Sequence, residues 1–305
     1  MNSFFDELRF AFQRRDNGLM KIIFINIAVY LTLTVLSVVL RLSGAGQVYD
    51  FLAEQLFLPA SVSGFLAKPW TLITYFFAHE DIFHILFNLL VLYWFGRLVQ
   101  EYLGNRKVVT LYFLGGIAGG LFYILLYNLS PYFQRVVGSS VLLGASAGVY
   151  AVVVGAATFI PNYTFFMLFL GPVRIIYIAA FYVVLSLAES VGNNAGGALA
   201  HLGGALMGYL VISQLKQGRD WSASFYRVID WFGSAFQPKP KIKVSYRKQG
   251  SSNKATAGSS SAPRRGTSEI DQEEIDKILD KISERGYEAL SKEEKQKLFN
   301  ASKKP

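Results

Sequence analysis

Residues 22–40 (IIFINIAVYLTLTVLSVVL) carry no charged side chain. A helix needs about 20 such residues to cross the hydrocarbon core of a bilayer. Inside that core there is no water to satisfy backbone N–H and C=O groups, so the segment must bond to itself as a helix. The run is longer than the core of a signal peptide and no small-x-small cleavage site ends it, so it is expected to be a retained first span. Five more runs of this kind follow, at about 82–96, 108–127, 141–160, 175–188 and 195–213. With 52% hydrophobic residues among 305, the chain is too apolar for a water-soluble domain. The expected fold is all-α, a polytopic membrane protein built as a six-helix transmembrane bundle.

Between the first two runs, residues 41–81 hold Gly44, Gly46, Pro59, Gly64 and Pro69. They should form a long loop partly embedded in the outer interface, the kind of loop that often serves function. Residues 161–172 should lie at the inner interface. Lys and Arg sit in the N-terminal arm, in the turn with Arg97, Arg106 and Lys107, at Arg174 and after Lys216. These sites alternate as six spans with both termini in the cytoplasm require. The net charge of +9 is therefore assigned to a cytoplasmic membrane face and not to nucleic acid.

Five regions result. Residues 1–21 form an amphipathic cytosolic arm, with Phe5, Leu8 and Phe12 at helical spacing, and 22–215 form the six-span core. Residues 216–237 form an interfacial amphipathic helix with Trp221, Phe225, Val228, Ile229 and Phe232 on one face. Residues 238–267 are a basic disordered linker. Residues 268–305 form a helical hairpin, with capping-box spacing at Asp271/Glu274 and Ser291/Glu294 and a helix end at Gly286. Ile275, Ile278, Leu279 and Ile282 make an apolar stripe on it that could dock onto a cytosolic partner.

The chain has no cysteine and three histidines, His79, His84 and His201. Thiol nucleophiles, thiolate metal ligands and disulfides are excluded, and any histidine chemistry takes place in or beside the membrane. Polar groups at membrane depth are costly and mark function. Counted at 1.5 Å per residue from the expected span starts, Asn88, Ser146 and His201 each lie roughly 9 Å from the outer end of their span. His84 and Asn88 share a face at i and i+4, as do Ser146 and Tyr150. Gly197, Gly204 and Gly208 form a stripe with His201, and Gly144 with Gly148 offers a matching groove. Close packing there would bring Ser146 to His201.

Taken singly, a glycine stripe is helix packing and a serine in a span is a helix–helix hydrogen bond; the conjunction points to catalysis. Gly144-Ala-Ser-Ala-Gly148 fits the nucleophile elbow of α/β-hydrolases, but that elbow needs a strand before it and here membrane helix is expected. His79-Glu80 and His84 are spaced H-E-x-x-x-H, about 140° off the one-face arrangement that a metal requires on a helix. No metal or cofactor is expected.

Over roughly residues 20–215 the sequence resembles the rhomboid intramembrane serine proteases, a bacterial-type member with a C-terminal cytosolic extension. The matching elements are Trp70, His79-x4-His84-x3-Asn88, Gly144-x-Ser146, Tyr150 and Ala200-His201-x-Gly-Gly. The resemblance implies that Ser146 is the nucleophile and His201 the general base of a dyad without a third carboxylate. His84, Asn88 and the Ser146 N–H would form the oxyanion hole, Tyr150 would stack on His201, and His79 and Gly144 would support them. Transmembrane-helix proteins would be the substrates and a bacterial plasma (inner) membrane the home of the enzyme. Thr71 and Ala147 depart from the family pattern, where Arg and Gly are common. A non-catalytic rhomboid-like protein that binds membrane helices is the alternative, and a transporter fits less well because the spans hold few ionisable groups.

Overall fold

A computed structural model describes residues 17–167, 171–236 and 268–302. Most of the expected N-terminal arm and the whole expected linker lie outside the described residues. The chain divides into two compact units, 1–239 and 240–305.

In the first unit, α1 (Gly18–Leu42) leads into the long loop. That loop folds into α2 (Gly46–Glu54), β1 (Leu58–Pro59), α3 (Val62–Ala67), α4 (Thr71–Thr74) and a 3₁₀ turn at Tyr75–Phe77. Next come α5 (Ile82–Leu103), α6 (Asn105–Leu129), β2 (Val141–Leu142) and α7 (Ser146–Phe159). A hairpin of β3 (Thr164–Met167) and β4 (Gly171–Arg174) precedes α8 (Ile175–Glu189), α9 (Ala195–Lys216) and α10 (Trp221–Phe236). The protein is an all-α polytopic membrane protein. Helices α1, α5, α6 and α9 are each long and apolar enough to cross a membrane, and α7 and α8 are shorter apolar helices.

Local chemistry sets the helix ends. The Asp81 carboxylate accepts the His84 backbone N–H at 2.8 Å and so caps α5, and Asn194 does the same for Gly197 at the start of α9, at 3.3 Å. α5 stops at Gly104, whose φ of 80° is open to glycine and disfavoured for other residues.

Small residues set the packing. On α6, a Cβ added to Gly115 would lie 2.2 Å from the Ala151 Cβ, and one on Gly119 would lie 2.5 Å from the Ala147 Cβ. A Cβ on Gly116 would strike the Phe76 ring and one on Gly120 the Leu58 side chain. α6 is therefore the hub of the bundle, with α7 and α9 against one side and the loop against the other. Buried hydrogen bonds reinforce it. Tyr75 Oη donates to the Gly116 carbonyl at 2.6 Å, Asn26 Nδ2 donates to Tyr112 Oη at 3.1 Å, and Tyr112 Oη donates to the Phe76 carbonyl at 2.8 Å. Between membrane helices such bonds are worth about 0.6–2 kcal/mol each.

The loop is an ordered structure with its own small core. Tyr49, Ala53, Phe57 and Ala78 pack with Leu33 of α1. Trp70 Nε1 donates to the Gln55 carbonyl at 2.9 Å and the buried Thr71 hydroxyl to the Lys68 carbonyl at 2.6 Å. β1 pairs antiparallel with β2, so the loop also holds the segment leading into α7.

One expectation needs correction. The fourth span was expected over 141–160 as one helix, but α7 begins only at Ser146 and the residues before it pass through β2. Strand pairing with Leu58 and Pro59, and a positive φ at Gly144, are incompatible with helix there. The 14 residues of α7 span roughly 21 Å at 1.5 Å per residue. Ser146 lies at the mouth of its helix, not partway along it. Of residues 161–172, expected at the inner interface, 164–167 form β3 and 171–172 begin β4.

α10 is fastened to the start of α6, where Lys107 pairs with Asp220 at 2.5 Å and donates to the Ser222 hydroxyl. In the second unit, α11 (Ser268–Arg285) ends at Gly286 with φ 77°, and α12 (Lys292–Ser302) follows. Ser291 and Glu294 make the reciprocal capping box: the Ser291 N–H donates to Glu294 at 2.7 Å and the Glu294 N–H to Ser291 Oγ at 3.3 Å. Asp271 and Glu274, expected at a helix start, fall inside α11, which already starts at Ser268.

Candidate active site

The site is assembled around the first turn of α7. Gly144 has φ 112°, and a Cβ placed on it would lie 2.7 Å from the His84 ring. Backbone and imidazole cross there with room for no side chain. The Gly144 N–H donates to the Tyr75 carbonyl at 2.9 Å, and the Ala145 N–H donates to His79 Nε2 at 3.2 Å. His79 is thus a bracket that holds the approach to Ser146 in place, and its Nε2 carries no proton.

Because Ser146 opens the helix, the amides of Ser146, Ala147 and Gly148 come before the first intrahelical bond, from the Val149 N–H to the Ala145 carbonyl at 3.1 Å. Unpaired N–H groups and the positive end of the helix dipole are therefore concentrated beside the hydroxyl.

α9 brings the imidazole to that hydroxyl. A Cβ on Gly204 would lie 2.1 Å from the Ala147 carbonyl oxygen, and one on Gly208 would lie 2.2 Å from that of Ala151. The two backbones thus touch without intervening side chains. At this separation His201 Nε2 lies 2.7 Å from Ser146 Oγ, and the Tyr150 and His201 rings stack at 4.2 Å and 12°. The expected groove of Gly144 and Gly148 is a correction. Gly144 precedes the helix, and Gly148 faces Tyr112, whose carbonyl oxygen would lie 2.7 Å from a Cβ there. Ala147 and Ala151 are what the α9 glycines meet.

α5 supplies the other wall. The buried Asn88 donates one Nδ2 hydrogen to the His84 carbonyl at 3.0 Å, one turn back on the same helix. That bond fixes the amide and leaves its second hydrogen for the site. The His84 ring lies edge-on to the His79 ring at 5.1 Å. Ser146, His201, His84, Asn88 and Tyr150 all line one cavity of about 770 Å³, with Glu80 and Asp81 also on its lining. The structure therefore brings these five candidate residues together. His79 and Gly144 act from behind the cavity wall.

One residue was not foreseen. Ser186 of α8 is buried, donates to Tyr150 Oη at 2.9 Å and has its Oγ 3.2 Å from His201 Nδ1. Ile175, Ala179, Tyr182 and Ser186 follow helical spacing, so a serine on an apolar and aromatic inward stripe was the available signal.

A family model of the Rhomboid domain matches residues 66–217. Residues 268–304 match a family of unknown function, DUF6576. The chain is similar to RHOMBOID-like protein 12, mitochondrial, of Arabidopsis thaliana, 31% identical over 160 residues that cover 49% of this chain and 47% of that protein. It is 29% identical over 177 residues to Rhomboid-like protein 16, chloroplastic, of the same plant, covering 53% and 54%. It is 34% identical over 142 residues to Rhomboid protein 1, mitochondrial, of Saccharomyces cerevisiae, covering 44% and 38%. The chain thus spans about half the length, or less, of these relatives.

Proposed function

Since the chain belongs to the rhomboid family, we propose that it is an intramembrane serine endopeptidase that cuts transmembrane segments with Ser146 and His201. The observation that carries this reading is the 2.7 Å separation of Ser146 Oγ and His201 Nε2 across two helices in backbone contact. That distance is within hydrogen-bond reach, as a nucleophile and its base require. A helix-binding protein without catalysis would need neither the pair nor the unpaired amides beside it.

In this reading His201 Nε2 takes the Ser146 proton while Oγ attacks the scissile carbonyl carbon. The developing oxyanion is met by the Ser146 N–H, the free Asn88 Nδ2 hydrogen and the His84 ring. A single donor of this kind contributes on the order of 10²-fold in rate. His201 then passes the proton to the leaving amine, and water drawn through the polar cavity hydrolyses the acyl-enzyme. A helical substrate hides its carbonyls in internal hydrogen bonds and must unwind locally, so segments with Gly, Ala or Pro at the cleavage point are favoured. The mouth of the cavity lies on the side opposite the cytoplasm, with residues 17–21 and 216–236 on the cytoplasmic side. The distribution of Lys and Arg supports this orientation.

The test is cleavage of a single-span substrate in liposomes. Ser146→Ala should abolish it, and His201→Ala should be equally inactive because the pair acts as a unit. Cleavage by Ser146→Ala at the wild-type rate would refute the mechanism.

A further inference from the structure

The imidazole of His201 has two nitrogens and only one faces Ser146. For Nε2 to accept a proton it must be bare, so the resting proton must sit on Nδ1, and whatever Nδ1 meets decides which nitrogen is protonated. Among the described residues no carboxylate does this. The group beside Nδ1 is the Ser186 hydroxyl, 3.2 Å away, buried on α8 with 1% of its surface exposed.

A hydroxyl can donate or accept, so alone it would not choose a tautomer. Ser186 is not alone, since its oxygen also lies 2.9 Å from Tyr150 Oη and donates to it. A serine has one hydrogen. If it is committed to Tyr150, only lone pairs remain toward His201, and Nδ1 must be the donor. Tyr150 is itself held in place, with its ring stacked on the imidazole at 4.2 Å and packed against Tyr182 at 5.2 Å.

We propose that Ser186 is the positioning residue of this active site: a neutral third member that accepts the Nδ1–H of His201, hands its own hydrogen to Tyr150, and so keeps Nε2 free to take the Ser146 proton. The inference rests on the serine-protease reading above and deepens it. In the acyl-transfer step the imidazolium carries a proton on each nitrogen, and the Ser186 oxygen continues to accept the one on Nδ1. The hydroxyl brings no charge of its own, so orientation is what Ser186 contributes. The proposal also gives α8 a part in catalysis beyond Tyr182, which lines the cavity.

Removing the acceptor lets the imidazole place its proton on Nε2, where it donates to Ser146 and cannot act as base. Loss of the tautomer-fixing partner costs about 10⁴-fold where that partner is a carboxylate. For an uncharged hydroxyl the expected loss in kcat is smaller, about 10–100-fold, with KM within about twofold. Tyr150→Phe keeps the ring stack but removes the acceptor of the Ser186 hydrogen, and should lower kcat partway.

The experiment measures kcat and KM on a single-span substrate in liposomes for wild type, Ser146→Ala, Ser186→Ala and Tyr150→Phe. It is paired with ¹⁵N NMR of histidine-labelled protein in micelles, the His201 signals being assigned by their loss in His201→Ala. Expected are a wild-type His201 protonated on Nδ1, a shift toward the Nε2–H form in Ser186→Ala, and a fall in kcat alone. A wild-type imidazole protonated on Nε2 would overturn the proposal. So would an unchanged kcat in Ser186→Ala, or a loss confined to KM. Full cleavage by Ser146→Ala would instead sink the protease reading itself, so the two failures are distinguishable.

Discussion

Gly144 illustrates how narrowly single residues define this site. Its φ of 112° lies where side chains other than glycine's are strained by about 1–3 kcal/mol, and the His84 ring occupies the space a methyl group would need. Gly144→Ala should therefore lower the cleavage rate at least about tenfold by pushing His84 and the Ser146 amide apart. A rate assay on the variant in liposomes checks this, and wild-type activity would show that the crossing is not required. At this scale the sequence was informative, because Ser146, His201, His84, Asn88 and Tyr150 are chemically conspicuous in an apolar setting. Ser186 was hidden because a serine in a span reads as ordinary helix packing. Only its neighbours Tyr150 and His201, brought in by other helices, set it apart.

At the scale of elements, the dyad depends on how closely α7 and α9 approach. Gly204→Val would drive side-chain carbons into the Ala147 carbonyl, 2.1 Å from the first of them, and no rotamer relieves a clash with backbone. The expected result is loss of cleavage together with a melting temperature lower by several degrees, as overpacking costs about 1–3 kcal/mol. Thermal unfolding in detergent measures it. The spans were legible from hydropathy, and α9 from its glycines. The start of α7 was not, because Val141, Leu142 and Leu143 are as apolar as a helix would be. What makes them extended is pairing with residues some eighty positions earlier, which no local pattern reveals. The hub position of α6 escaped notice for a similar reason: its four inward glycines match partners on three other elements.

A separate prediction belongs to the second unit. The Glu294 carboxyl is held down to about 2 by Lys281, with the Ser291 N–H adding to it. A lowered folded-state value means the capping box is fully stabilising above the ordinary glutamate pKa near 4.5. That stabilisation is lost as the pH falls from there toward 2. Amide exchange at the start of α12 should accelerate over that window, and Glu294→Gln should remove the pH dependence.

Considered as a whole molecule, the first unit surrounds the cavity holding Ser146, His201, His84 and Asn88 with apolar helices, and its long loop pairs with the strand that leads to Ser146. Candidate site groups from α5, α7 and α9 converge although Asn88 and His201 lie 113 positions apart in the sequence. The sequence could state which residues were available but not that Ser146 would open a helix, with unpaired amides beside its hydroxyl. The most direct measurement is to treat the protein in liposomes with a fluorophosphonate and locate the adduct by mass spectrometry. The account predicts a single phosphonyl group on the peptide containing Ser146, absent from His201→Ala, with substrate cleavage lost in proportion to labelling. An unlabelled Ser146 in protein that still cleaves its substrate would contradict it.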